Sequence, residues 1–112
     1  MQTKLNVTTK LEKEYIQYLE LHLKRNNWSR VDLLKEALKQ FKLQHSKKKI
    51  YKLKFNQFVR VELKDYSIII RNKLGISLTK LATELSISRV QLLREVFLTY
   101  LMQIKTEENE LS

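Results

Sequence analysis

Alternate residues near the beginning of the chain carry hydrogen-bonding side chains: Lys4, Asn6, Thr8 and Lys10. The residues between them are apolar except for one threonine, and they are Leu5, Val7, Thr9 and Leu11. A period of two is typical of a short β-strand, whose side chains alternate between opposite faces. The sequence therefore predicts a strand with one face of ammonium, amide and hydroxyl groups, which offers donors and acceptors to a ligand.

A second polar pattern occurs twice, as Ser29-Arg30 and as Ser88-Arg89. Each serine precedes an amphipathic run and has an acid or an amide three residues later, which is typical of a helix N-cap. Capping explains the serines but not the arginines, because the helix dipole disfavours cations in the first turn. Since a helix N-terminus suits a phosphate, we expect Arg30 and Arg89 to bind an anion there.

Both patterns belong to an internal repeat with an offset of 59 residues. Residues 29–44 and 88–103 are identical at 7 of 16 positions. A repeat of this kind indicates that the fold is built from two copies of one structural unit. Carried backwards without a gap, it places a second strand near 65–70, where β-branched residues are frequent. An alternative register places that strand at 58–64.

Local signals mark the elements of the first half. Thr9 and Glu12 have the spacing of a capping box, which predicts a helix that begins there and ends at Asn26-Asn27. Trp28 precedes the second cap and has the spacing of a hydrophobic staple with Leu33. We therefore expect Trp28 to be a packing residue.

Composition narrows the classes of partner. The chain carries 22 Lys+Arg against 12 Asp+Glu, a formal charge of +10, which attracts polyanions and nucleic acid above all. It has no cysteine, which excludes disulfides and thiolate metal sites. It has neither an apolar run near the ~18 residues of a membrane span nor a signal-peptide pattern. We expect a cytoplasmic protein with no membrane partner.

The chain offers little for catalysis. His22 and His45 lack metal-ligand spacing, and there is no phosphate-binding glycine loop and no cysteine nucleophile. We therefore expect no enzyme, no metal, no cofactor and no small-molecule substrate. His22 is expected to lie beside the core on the first helix.

A strand followed by two helices, the second opened by Ser-Arg-x-x-Leu-Leu-Lys/Arg-Glu-Ala/Val, resembles the ribbon-helix-helix family of DNA-binding regulators. The resemblance covers residues 4–44 and 65–104 and is most specific after Ser29 and Ser88. Most family members carry one unit and dimerise. A chain with two units is similar to tandem regulators of archaeal filamentous viruses, which would act in the cytoplasm of the host cell.

The resemblance implies a mostly α fold with a short antiparallel β-ribbon, in which two tandem units form an intramolecular pseudo-dimer. The first unit would span 1–44 and the second 65–105. A basic linker with strand character, 45–64, would join them, and 106–112 would form a frayed acidic tail. Pairing suits the physics, because a lone strand with two helices leaves backbone groups unpaired and one apolar face uncovered.

The resemblance also implies sequence-specific binding to double-stranded DNA, with the ribbon in the major groove. Family members read base edges with the outward residues of the ribbon, which here are Lys4, Asn6, Thr8, Lys10 and Ser67. They clamp phosphates with the N-termini of the second helices, which here are Ser29, Arg30, Ser88 and Arg89. Because Asp65 and Ile69 on the second strand suit base reading less well, we expect an imperfect palindrome as the operator.

Other interpretations stay open. Residues 78–97 resemble a helix-turn-helix, in which Arg89, Gln91 and Arg94 would enter the groove, although this does not explain the repeat. An antitoxin-like protein-interaction module would need a longer partner-binding segment after Ile104. The sequence distinguishes neither repressor from activator nor a single bound chain from a homo-oligomer along DNA.

Overall fold

The computed structural model describes residues 4–46 and 62–111. This part of the chain is mostly helical and contains a two-stranded antiparallel ribbon and four helices, which confirms the coarse prediction of the fold class. Every element of the second half begins 59 residues after its equivalent in the first half. The elements are β1 (Lys4–Glu12), α1 (Lys13–Asn26), α2 (Arg30–Ser46), β2 (Leu63–Arg71), α3 (Asn72–Glu84) and α4 (Arg89–Leu111).

The two strands pair from Lys4 opposite Arg71 to Glu12 opposite Leu63. An offset of 59 maps this register onto itself, since it converts the first of these pairs into the last. The second strand therefore runs through 65–70, as the ungapped repeat predicts. Of the alternative strand at 58–64, residues 58–61 lie outside the described residues, as does most of the predicted linker.

The inner face of the ribbon forms the floor of the core. Its fully buried apolar residues are each at most 2% exposed, and they are Val7, Leu11, Tyr66, Ile68 and Ile70. The helices cover this face with leucines that are at most 1% exposed, namely Leu19, Leu33, Leu34, Leu78, Leu92 and Leu93. The predicted alternation therefore divides the ribbon into a buried face and a polar outer face.

Each second helix is bonded to the strand of the other half. The Thr9 hydroxyl in β1 donates to the carbonyl of Val90 in α4 at 2.7 Å. On the other side, Arg30 in α2 donates to the carbonyl of Ser67 in β2 at 2.8 Å. The two halves thus share one core, because the strand and the second helix of one half close over those of the other.

The predicted capping box at Thr9 and Glu12 is wrong. Thr9 lies inside β1 and is 1% exposed, and its hydroxyl is bonded to Val90. The first helix begins at Lys13 after Glu12, whose side chain makes no cap hydrogen bond. The strand continues through the predicted helix start because its pairing with β2 extends to Glu12 opposite Leu63.

Candidate nucleic-acid interface

The outer face of the ribbon gathers all five residues for which base reading is predicted. Lys4, Asn6 and Lys10 are exposed along β1. Thr8 and Ser67 lie opposite each other at the centre of the ribbon, half-buried, with their hydroxyl oxygens 2.9 Å apart. The face therefore presents amide, hydroxyl and ammonium groups side by side, and these are the groups that can hydrogen-bond with base edges.

The two ends of this face differ in charge. Lys10 forms an ion pair across the ribbon with Asp65, and both side chains are more than half exposed. An exposed pair of this kind contributes only ~0–1 kcal/mol to stability. It nevertheless occupies the Lys10 ammonium and places a carboxylate on the face. At the other end Lys4 lies opposite Arg71, so that two cations are adjacent.

The predicted caps of the second helices are present. The Ser29 backbone N–H donates to the Asp32 carboxylate at 2.9 Å, and the Asp32 N–H donates to the Ser29 hydroxyl oxygen at 3.2 Å. The bond from the Ser29 N–H, and a second one that the Ser29 hydroxyl donates to the same carboxylate at 3.0 Å, hold the pKa of Asp32 below its usual value. In the second half, the Gln91 N–H donates to the Ser88 hydroxyl oxygen at 3.1 Å.

The Arg30 side chain is 46% exposed and makes several contacts with other elements of the protein. Its Nε donates to the Glu20 carboxylate at 2.8 Å, and its Nη1 donates to the Ser67 carbonyl at 2.8 Å. The guanidinium carbon lies 4.6 Å from the centroid of the Tyr66 ring. Arg30 thus ties α1 and α2 to β2, a role that no local sequence signal indicates because its partners lie 10 and 37 residues away.

Arg89, the counterpart of Arg30 in the repeat, has a different environment. Thr79 stands where the repeat would require an equivalent of Glu20, so no carboxylate is supplied from α3 at that position. Within the part of the chain that the structure describes, the half-buried Arg89 guanidinium has no hydrogen bond or ion pair. Of the two predicted phosphate-binding arginines, Arg89 is the one whose guanidinium is available to a ligand.

Arg94 is also held within the fold. It forms an ion pair with Glu12 at 2.7 Å and donates to the Lys10 carbonyl at 2.9 Å. Its side chain is 23% exposed. The helix-turn-helix interpretation needs Arg94 in the groove, so this engagement weighs against it.

Trp28 and His22, whose roles the sequence analysis considers, both take part in packing. Trp28 is half-buried against the core, as the staple predicts, and its ring is nearly perpendicular to that of His22, with the two centroids 5.5 Å apart. His22 Nε2 lies 3.1 Å from the Tyr100 hydroxyl oxygen.

Burial raises the pKa of the Tyr66 phenol, and the nearby Glu20 carboxylate raises it further. This phenol therefore stays neutral beneath Arg30.

Comparison with protein-family models, with curated proteins and with solved structures finds no match to this chain. Among residues 4–46 and 62–111, no three or more His, Cys, Asp or Glu side chains gather as metal ligands would. No helix in that part of the chain has the length and apolar character needed to cross a membrane.

Proposed function

We propose that this protein is a sequence-specific regulator of transcription that binds double-stranded DNA, of the ribbon-helix-helix type and similar to tandem regulators of archaeal filamentous viruses. The observation that carries the proposal is the exposed polar face of the ribbon on a chain of charge +10. A two-stranded ribbon fits the major groove of B-DNA, which is about 12 Å wide. The protein would act in the cytoplasm, where that DNA is accessible.

The proposal includes an intramolecular pseudo-dimer. Two pairs of counterpart residues are bonded to each other: Thr8 with Ser67, and Gln44 with Gln103, whose amides meet at 3.1 Å. When two copies are related by a twofold axis, a residue touches its own counterpart only at that axis. These two pairs support an axis that runs from the centre of the ribbon to the contact of Gln44 in α2 with Gln103 in α4.

Each group on the ribbon has a distinct task in this mechanism. Asn6 pairs with adenine through two hydrogen bonds, and Lys4 and Lys10 donate to guanine. Lys10 must leave Asp65 to do so, and the loss is small because the ion pair is exposed. Thr8 and Ser67 can each turn a hydroxyl from their shared bond towards a base.

The helix N-termini hold the DNA backbone on both sides of the ribbon. The backbone N–H groups at the N-termini of α2 and α4 donate to phosphate oxygens, and the exposed Ser29 and Ser88 hydroxyls lie beside them. Arg89 adds a guanidinium to one of these sites. Arg30 acts as a positioning residue, because it orients β2 through the Ser67 carbonyl.

The decisive experiment is the selection of binding sites from random duplex DNA with the intact chain and with an Asn6→Ala/Lys10→Ala variant. The intact chain is expected to enrich one motif, an imperfect palindrome, and the variant to lose it. Lys42→Ala, which removes a charge from the exposed side of α2, is the control and should keep the motif. Equal binding of all sequences by the intact chain would reject base reading, and a perfect inverted repeat would contradict the asymmetry of the two strands.

A further inference from the structure

A cavity of about 660 Å³ lies at one end of the ribbon, between α2 and α3. Four cationic side chains line it, namely Lys4, Lys35, Arg71 and Lys73. No acidic residue is among the described residues that form its wall. We call it the basic cavity, and it is absent from the sequence-based predictions because its residues come from four different elements.

The repeat explains why this space is open. In the first half, the rings of Tyr15 and Tyr18 pack against the core, and the Lys105 ammonium lies 5.4 and 5.5 Å from their centroids. At the counterpart positions in α3 the chain has Leu74 and Ser77, which both line the basic cavity. Leu74 and Ser77, which line the cavity, are smaller than their aromatic counterparts in α1, and this leaves room beside α3.

The two ends of the ribbon also differ in charge, and the end beside the basic cavity is the more positive one. The counterparts of Arg71 and Lys73 are Glu12 and Glu14, and Glu12 neutralises Arg94, the counterpart of Lys35. In the basic cavity, by contrast, no carboxylate of the described residues lies within ion-pair distance of the four cations, and Asp32 acts on Lys35 only from further away. Like charges held together repel one another, and a bound anion relieves that repulsion.

The position of the basic cavity beside the ribbon indicates which anion it binds. Lys4 and Arg71 belong both to its wall and to the outer face of the ribbon. A duplex on that face therefore brings its backbone to the mouth of the cavity. The wall also includes Ile69 and Leu74, apolar side chains that can pack against a deoxyribose.

We propose that the basic cavity binds a backbone phosphate of DNA, so that the protein grips one half of its site more strongly than the other. This inference rests on the proposed function and adds to it a difference in phosphate binding between the two half-sites. The neutralised end, with its Lys10–Asp65 and Arg94–Glu12 pairs, would contribute fewer contacts to phosphate.

The first test compares two variants with the same change in charge. Lys35→Gln/Lys73→Gln removes two cations from the cavity, and Lys24→Gln/Lys80→Gln removes two exposed cations of α1 and α3 that do not line it. Affinity for a mixed-sequence duplex is measured against salt concentration. The cavity variant is expected to lose about tenfold in affinity and to reduce the salt slope by about 1, as the loss of one phosphate contact requires, and the control much less.

A second variant tests the space rather than the charge. Ser77→Tyr places the residue of the first half at its counterpart position and fills the cavity with every cation retained. It is expected to keep the thermal stability of the protein and to weaken duplex binding. Normal binding by Ser77→Tyr, or equal losses in both lysine variants, would overturn the phosphate site. Failure of the unaltered chain to bind any duplex at low salt would instead reject the proposed function.

Discussion

Thr8 and Ser67 face each other at the centre of the ribbon with their hydroxyl oxygens 2.9 Å apart, and they are counterparts in the repeat. Gln44 in α2 and Gln103 in α4, also counterparts, are hydrogen-bonded to each other. Contact between counterparts at two places shows that the two halves of this chain pack against each other.

Unfolding is expected not to depend on protein concentration. A dimer of separate chains gains stability with concentration, whereas halves joined in one chain meet at a fixed effective concentration. Thermal unfolding followed by circular dichroism over a wide range of concentrations should give one transition with a constant midpoint. A midpoint that rises with concentration would show that a second chain completes the fold.

Arg30→Ala and Arg89→Ala are expected to separate stability from binding. Loss of the Arg30 hydrogen bonds to Glu20 and to the Ser67 carbonyl should lower the free energy of unfolding by about 1–2 kcal/mol. Arg89→Ala should change that free energy by less than about 0.5 kcal/mol but weaken binding to all duplexes alike and flatten the salt slope. Chemical denaturation and duplex titration of both variants supply the measurement. Equal loss of stability in the two variants would contradict a structural role for Arg30 and a binding role for Arg89.

Asp65→Asn is expected to raise the affinity for DNA. The substitution removes a carboxylate from the face of the ribbon that is proposed to enter the groove, and it releases Lys10 from its ion pair. We expect binding to improve severalfold, with a steeper dependence on salt, because the protein can then release more counterions. Glu84→Gln, which makes the same charge change at the exposed end of α3, is the control. An equal gain in both variants would mean that only net charge matters.

The cap at Asp32 is expected to shape stability on the acid side. Its hydrogen bonds with Ser29 lower the pKa in the folded state, so the carboxylate stabilises the fold above its unfolded pKa of about 3.9. That contribution falls away as the pH drops through the lower folded value. The difference in unfolding free energy between the protein and Asp32→Asn should therefore be constant near neutrality and shrink below about pH 4. A difference that stays constant down to acid pH would exclude an ionised cap.

Much of the fold is readable from neighbouring residues. The caps at Ser29 and Ser88 depend on a side chain and backbone groups three positions away, so the sequence pattern suffices to predict them. The alternation in β1 likewise distinguishes the buried from the outer face, and the repeat transfers the same elements to the second half. For these reasons the sequence correctly predicts four helices and a ribbon, together with the residues on its outer face.

Tertiary packing decided what those patterns left open. Thr9 looks like a cap, but the pairing of the strands carries it into the core, where Val90 accepts its hydroxyl. Gly75 looks like a weakness in a helix, yet a Cβ there would lie 2.9 Å from Leu5 Cδ2, and the glycine permits this close approach.

The candidate site likewise has features that the sequence predicts and features that only the structure shows. The sequence determined by itself which polar groups line the ribbon and where the two halves correspond. Only the structure decided that Arg30 is bound internally, that Asp65 engages Lys10, and that an open basic cavity lies between α2 and α3. The physical reason is that caps and alternation arise from residues near in sequence, whereas these contacts join residues that register and helix packing bring together.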